Sequence, residues 1–227
     1  PSYQLGGGNP AQIPEIEKMY RNRMEKIISN SDEFEQLIGR YDAPQGKISF
    51  IESVAEFLSN KFGWKIGPEN VGITNGSQSA FFYLFNLFSG TFSNSNKKKT
   101  IVLPLVPEYI GYADQGLEAD TFVGIPATFT MSNDHTFKYN VDFEKLENYL
   151  EKHDNVGALC VSRPTNPTGN VLTNEEISRL SILAKKYDIP LMVDNAYGLP
   201  WPDIIFDDNA IPYWDENVIL SMSLSKI

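Results

Sequence analysis

Apolar positions along this chain repeat with two periods that take turns. Pro14 followed by Glu15 and Glu17 suits a first helical turn, and the spacing predicts a helix over 14–28. A second amphipathic helix is predicted over 47–62. Ile48, Ile51, Val54, Phe57 and Leu58 form its inner stripe, and Gly63 stops it. Short apolar runs at 71–74, 101–105, 121–125, 156–161, 189–193 and 218–222 read as strands. Between them, 77–88, 109–117, 143–150 and 173–187 read as helices, the last opened by Thr173 and Glu176 at capping-box spacing. Strands alternating with helices over short connections imply an α/β fold, a mostly parallel sheet covered on both faces. Ligands of such sheets bind beyond the carboxyl ends of the strands. No internal repeat is present, and 93–96 is the single low-complexity patch.

Composition narrows the function classes. The 227 residues, 41% of them hydrophobic, suffice for one large domain or one and a half small ones. A net charge of −10 argues against a nucleic-acid surface. The basic cluster Lys97-Lys98-Lys99 reads as a solvated loop. The two histidines, His135 and His153, have no partner at metal-ligand spacing, so neither a zinc site nor a histidine-based triad is expected. The lone Cys160, inside a strand-like run, reads as a small buried hydrophobe. Neither a signal peptide at 1–5 nor a membrane-length apolar run is seen, and the expected location is the cytoplasm.

Chemistry-bearing residues gather at the predicted strand ends. Lys226 lies just past the strand 218–222, flanked by Ser223 and Ser225, where a solvated surface charge is a poor explanation. Such a lysine can form an imine with an aldehyde while the serines hold a phosphate. Gly76 permits a tight turn before Ser77 and Gln78, at a helix N-terminus whose free N–H groups favour an anion. Asp194 ends the run Leu191-Met192-Val193, and a carboxylate there needs a partner. A protonated pyridine nitrogen would supply it. Tyr197 and Asn166 could donate to a phenolic oxygen on the same ring, and Tyr109 could stack on its face. Each feature also has a plainer reading: an N-cap serine, an Asn-Pro-Thr-Gly turn, a core tyrosine, a capping or metal-binding aspartate. Taken together they describe one ligand, pyridoxal 5′-phosphate.

The motifs Asn75-Gly76-Ser77-Gln78, Pro107-Glu108-Tyr109, Asn166-Pro167-Thr168-Gly169, Asp194-x-x-Tyr197 and Ser223-x-Ser225-Lys226 resemble, in this order, the class I/II aminotransferases. The runs 5–14, 74–85 and 161–167 are similar to the valine–pyruvate branch of that family. The resemblance implies a three-layer α/β/α fold, the large domain of a fold type I pyridoxal-phosphate enzyme. Residues 1–45 would form an N-terminal segment contributing to a small domain and dimer contacts, and 46–227 the cofactor-binding domain. It implies that Lys226 is the catalytic lysine, that Asp194 meets the ring nitrogen, and that Tyr197 and Asn166 meet the phenolic oxygen. Tyr109 would cover the ring face, and Tyr41 would reach the phosphate in the partner subunit of a homodimer with shared sites. Gly7 and Gly8, with Asn166, would face the substrate. The expected reaction is transfer of an amino group from valine to pyruvate, a step of amino-acid biosynthesis.

The family's glycine-rich stretch after the lysine, and its C-terminal small domain with a carboxylate-binding arginine, have no counterpart in these 227 residues. Weak or no turnover is therefore expected of this stretch alone. Neither missing role passes to an arginine such as Arg163. Two rivals stay open: another pyridoxal-phosphate reaction on the same scaffold (β-elimination or cyclopropane-forming synthesis), and a non-catalytic aminotransferase-like regulatory domain.

Overall fold

A computed structural model describes residues 12–93, 97–200 and 209–226. Backbone contacts divide the chain after Thr74 into two units. In the first, α1 (Pro14–Ser29) opens on proline with Glu15 and Glu17 in its first turn and Lys26 in its last, each charge opposing the helix dipole. It runs directly into α2 (Ser31–Gly39), which the sequence reading did not anticipate. Asn30 caps α2 by accepting from the Glu33 amide at 3.3 Å, and an Arg23–Glu33 ion pair joins the two helices. Neither helix has a buried residue. The third helix, α3 (Ile48–Phe62), buries Ile51, Ala55 and Leu58 and ends at Gly63 in the left-handed conformation. A 3-10 turn, Pro68–Asn70, follows.

The expected strand at 71–74 is absent. Val71 closes the 3-10 turn, and the Ile73 amide donates to Gln45 O at 3.2 Å instead of joining a ladder. Four residues interrupted by Gly72 offer too little alternation to hold an edge position.

The second unit, Asn75–Lys226, carries the sheet. In chain order its elements are α4 (Ser77–Phe88), β1 (Gly90–Thr91), β2 (Lys98–Val106), β3 (Phe122–Pro126), β4 (Thr128–Met131), β5 (Phe137–Asn140), α5 (Phe143–Lys152), β6 (Val156–Ser162), α6 (Asn174–Lys186), β7 (Leu191–Asp194) and β8 (Val218–Ser221). The strand order is β1-β2-β6-β7-β8, with β3 also paired to β2; every pairing is parallel except β1 with β2. The β4–β5 hairpin stands apart. Lys98 and Lys99 pair with β1 at the start of β2 and so are strand residues, not the loop expected for them. The helix expected over 109–117 reduces to one 3-10 turn, Ile110–Tyr112; Gly111 and Gly116 leave too few helix formers for more.

Side-chain alternation decides which layer covers which face. Val102, Leu159, Val161, Leu191 and Val193 point to one side, where Leu146 and Leu150 of α5 and Ile177 and Leu180 of α6 meet them. Ile101, Ala158, Cys160 and Met192 point to the other, against Phe81 and Phe85 of α4 and against Tyr112. The strand β6 is buried along its whole length. Full burial of a leucine such as Leu159 or Leu191 is worth about 1.5–3 kcal/mol, so this three-layer α/β/α sandwich is the chief source of stability in the unit. Thr173 and Glu176 form the anticipated capping box on α6.

Candidate active site

Because β2, β6, β7 and β8 are parallel, their carboxyl ends share one rim. Ser162, Asp194 and Ser221 lie level across β6, β7 and β8, and the Asn195 amide donates to Ser221 O at 2.9 Å. The turn carrying Asn166 leaves β6, Tyr197 follows β7, and Ser223, Ser225 and Lys226 follow β8. Half-buried Lys226 holds its Nζ 5.6 Å from the centre of the Tyr197 ring, so the segments after β7 and β8 converge. The hydroxyls of Ser223 and Ser225 are bonded to each other at 2.7 Å, and the Ser225 amide donates to Ser223 Oγ at 3.0 Å.

The start of α4 joins the same rim through Gln78, whose amide nitrogen donates to Gly111 O at 3.2 Å in the loop after β2. That side chain is therefore committed to the loop, and an anion would meet the backbone amides of Ser77 and Gln78 instead. Gly76 turns into the helix at φ +87°, in the region that glycine favours, with open space where a Cβ would stand. Ser77 Oγ is buried and has no hydrogen-bond partner among the described residues, an orphan acceptor and donor at a helix N-terminus. An anion there would satisfy it. Ser77 and the amides beside it are therefore chemically suited to an anion such as a phosphate.

Asp194 already has partners within the chain, unlike the sequence reading, which looked to a ligand for the first one. Tyr112 donates its hydroxyl to Asp194 Oδ2 at 2.8 Å, and the Ala196 amide donates to Oδ1 at 3.1 Å. Burial still outweighs these bonds and holds the Asp194 carboxyl above its ordinary range, so a nearby cation would stabilise its charged form. Burial, together with Cys160, Asp194 and Glu108 nearby, pushes the Tyr112 hydroxyl far up, so it stays a donor. Glu108 accepts from Ser162 N at 2.8 Å and from Ser162 Oγ at 2.5 Å; burial pushes it up to about 7. Sequence reasoning missed Tyr112, Glu108 and Ser162. The one available signal was their proximity in sequence to Tyr109 or to the Asn166 turn.

Tyr109 is half-buried and meets Tyr112 edge-on at 5.4 Å between ring centres. Buried Arg163 donates to Leu172 O, Ile211 O and Asn174 Oδ1, so its guanidinium is occupied by the protein itself. This accords with leaving it out of substrate binding. Tyr41 is fully exposed in the first unit. Gly7 and Gly8 lie outside the described residues. Among the described residues no cluster of His, Cys, Asp and Glu is placed to hold a metal, and no helix is long and apolar enough to cross a membrane.

A parallel sheet covered on both faces, with a buried aspartate at one strand end and a lysine just past the next, is the architecture of an α/β enzyme domain, and comparison with known proteins identifies the class. Residues 18–227 match the family of class I and II aminotransferases, and the chain belongs to that family, whose members use pyridoxal phosphate. Its fold is the large domain of the fold type I enzymes. It is 49% identical over 98% of its length to the valine–pyruvate aminotransferase of Escherichia coli K12, covering 52% of that protein. The crystal structure of valine–pyruvate aminotransferase from Salmonella typhimurium LT2 superposes with a TM-score of 0.82 at 47% identity, over 98% of this chain and 53% of that one. An aromatic aminotransferase from Pyrococcus horikoshii shares the fold at 23% identity, with a TM-score of 0.70 over 98% of this chain and 54% of its own. The chain spans about half the length of these relatives.

Proposed function

We propose that this chain carries the cofactor-binding half of a pyridoxal-phosphate-dependent aminotransferase that moves an amino group from valine to pyruvate, giving 3-methyl-2-oxobutanoate and alanine. The observation that carries the reading is the convergence of Lys226 with Tyr197, which follow strands whose ends Asp194 and Ser221 hold level, on a rim where Ser77 Oγ has no partner among the described residues. The 49% identity to the E. coli enzyme supports the choice of substrates.

When bound, the cofactor supplies an aldehyde for the amino group and an electron-withdrawing ring. The chain's own residues do the rest. The Ser77 and Gln78 amides at the head of α4, the Ser77 hydroxyl and the Ser223–Ser225 pair would hold the phosphate. Asp194, kept in place by Tyr112 and the Ala196 amide, would hold a proton on the ring nitrogen. Tyr197 and Asn166 would donate to the phenolic oxygen, and Tyr109 would cover one ring face. Lys226 would hold the aldehyde carbon at rest. As a neutral base, its amine would take the proton from the substrate α-carbon.

Residues 1–45 would contribute to the small domain and to a homodimer interface, with Tyr41 reaching the partner's phosphate and Gly7 and Gly8 closing over the substrate carboxylate. Support for these roles is the family resemblance, and the cytoplasm is the matching location. Borohydride reduction of the full-length protein saturated with cofactor tests the reading. Loss of the visible absorbance band and a label mapped to Lys226 are expected, with valine–pyruvate turnover abolished in Lys226→Ala. A label on any other lysine would refute it.

A further inference from the structure

Glu108 bridges two of the loops that meet at the rim. Its carboxylate accepts from the Ser162 amide at 2.8 Å, from Ser162 Oγ at 2.5 Å, and from the amide of Tyr109 at 3.2 Å. Ser162 ends β6 level with Asp194, and its carbonyl accepts from Thr165 Oγ1 at 3.0 Å in the turn that carries Asn166. One side chain therefore ties the main chain of Tyr109 to the strand end beside Asp194 and to the base of the Asn166 turn. The ring of Tyr109 is confined on two further sides. It lies across Gly111, where an added Cβ would come within 2.4 Å of the ring edge, and Tyr112 meets it edge-on.

We infer that Glu108 is a positioning residue that fixes the Tyr109 ring, relative to Asp194 and Asn166, before any ligand arrives. This rests on the reading of the rim as a pyridoxal-phosphate site and adds a residue to which that reading gives no role. The physical argument is preorganisation. A stacking ring whose main chain is tethered and whose floor is a glycine loses little freedom when a flat ligand settles on it. Without the carboxylate, the loop after β2 loses its side-chain tie to Ser162 among the described residues, and the ring must be ordered at the expense of binding.

The test uses full-length protein and titrates pyridoxal 5′-phosphate into the cofactor-free form of wild type, Glu108→Ala and Glu108→Gln. The visible circular dichroism of bound cofactor, which reports how the ring is held, is recorded alongside. Glutamine can still accept from the Ser162 amide and donate to Ser162 Oγ, losing only the bond from the Tyr109 amide that Oε2 accepts, so it should stay within about threefold of wild type and clearly tighter than alanine. Alanine should weaken binding about tenfold or more and alter the band. Gly111→Ala, which displaces the same ring without touching Ser162, should reproduce the alanine phenotype. Should Glu108→Ala fail to fold, Ser162→Ala removes only the hydroxyl's bond and should weaken binding by about threefold.

Glu108→Ala binding within twofold of wild type, or Glu108→Gln as weak as Glu108→Ala, overturns the inference while leaving the cofactor reading intact. Wild-type protein that takes up no cofactor overturns both.

Discussion

Replacing Tyr112 by phenylalanine removes one oxygen atom from a place nearly sealed from water. Tyr112 is 2% and Asp194 7% exposed, and the hydroxyl donates to Asp194 Oδ2 at 2.8 Å. The variant loses that donor and, among the described residues, retains the Ala196 amide, on Oδ1 at 3.1 Å. A hydrogen bond to a charged group is worth about 1.5–3 kcal/mol and one to a neutral group about 0.5–1.5 kcal/mol. Which figure applies depends on pH. Burial holds the Asp194 carboxyl above its ordinary value, so its contribution to stability is full below the unfolded-state pKa and is lost as pH rises through the folded one. The tyrosine hydroxyl opposes that loss by favouring the anion. Its removal lifts the folded value further, so the penalty is smallest in acid and grows as pH rises. We expect about 1 kcal/mol where the carboxyl is neutral, rising to about 2–3 kcal/mol where it is ionised. The assay is urea unfolding of cofactor-free protein, followed by tryptophan fluorescence at several pH values from about 5 to about 9. A penalty that is flat across the range, or that shrinks toward alkaline pH, would show that the hydroxyl does not support the Asp194 anion.

Two further changes probe the scaffold. Gly157→Ala would place a Cβ 1.7 Å from Phe88 O, a backbone atom that cannot swing away, in a strand buried along its length; a loss of about 3 kcal/mol or more is expected, and a melting curve superposable on wild type would contradict the packing described. Thr173→Ala deletes the hydroxyl that accepts from the Glu176 amide at 3.1 Å and should cost about 0.5–2 kcal/mol in thermal or urea unfolding, whereas no measurable change would mean that α6 does not depend on its cap.

Much of the sheet was legible because its signal is local. The run 156–161 is apolar throughout, and the structure buries all of β6; 77–88 has helical spacing, and α4 spans the same residues. The misreadings are equally physical. Val71 to Thr74 carries strand-type residues, but a neighbouring 3-10 turn and Gln45 claim its backbone. The β4–β5 hairpin escaped notice because three of its aromatic and sulfur side chains, Phe129, Met131 and Phe137, are exposed and give no alternation between core and solvent.

The main sheet strands and the helices α1, α3, α4, α5 and α6, the placing of Asp194, Tyr197, Ser223, Ser225 and Lys226 just at or beyond strand ends, and the glycine turn before Ser77 follow from periodicity and turn chemistry over a few neighbouring residues. The sequence alone determined these features. Only the tertiary structure decided who meets whom. Tyr112 and Asp194 are 82 residues apart and Glu108 and Ser162 are 54 apart, yet the parallel register of β2, β6 and β7 sets each pair within hydrogen-bonding distance. Such partnerships leave no periodic trace, because they arise from how strands stack side by side and not from the spacing of residues along any one of them.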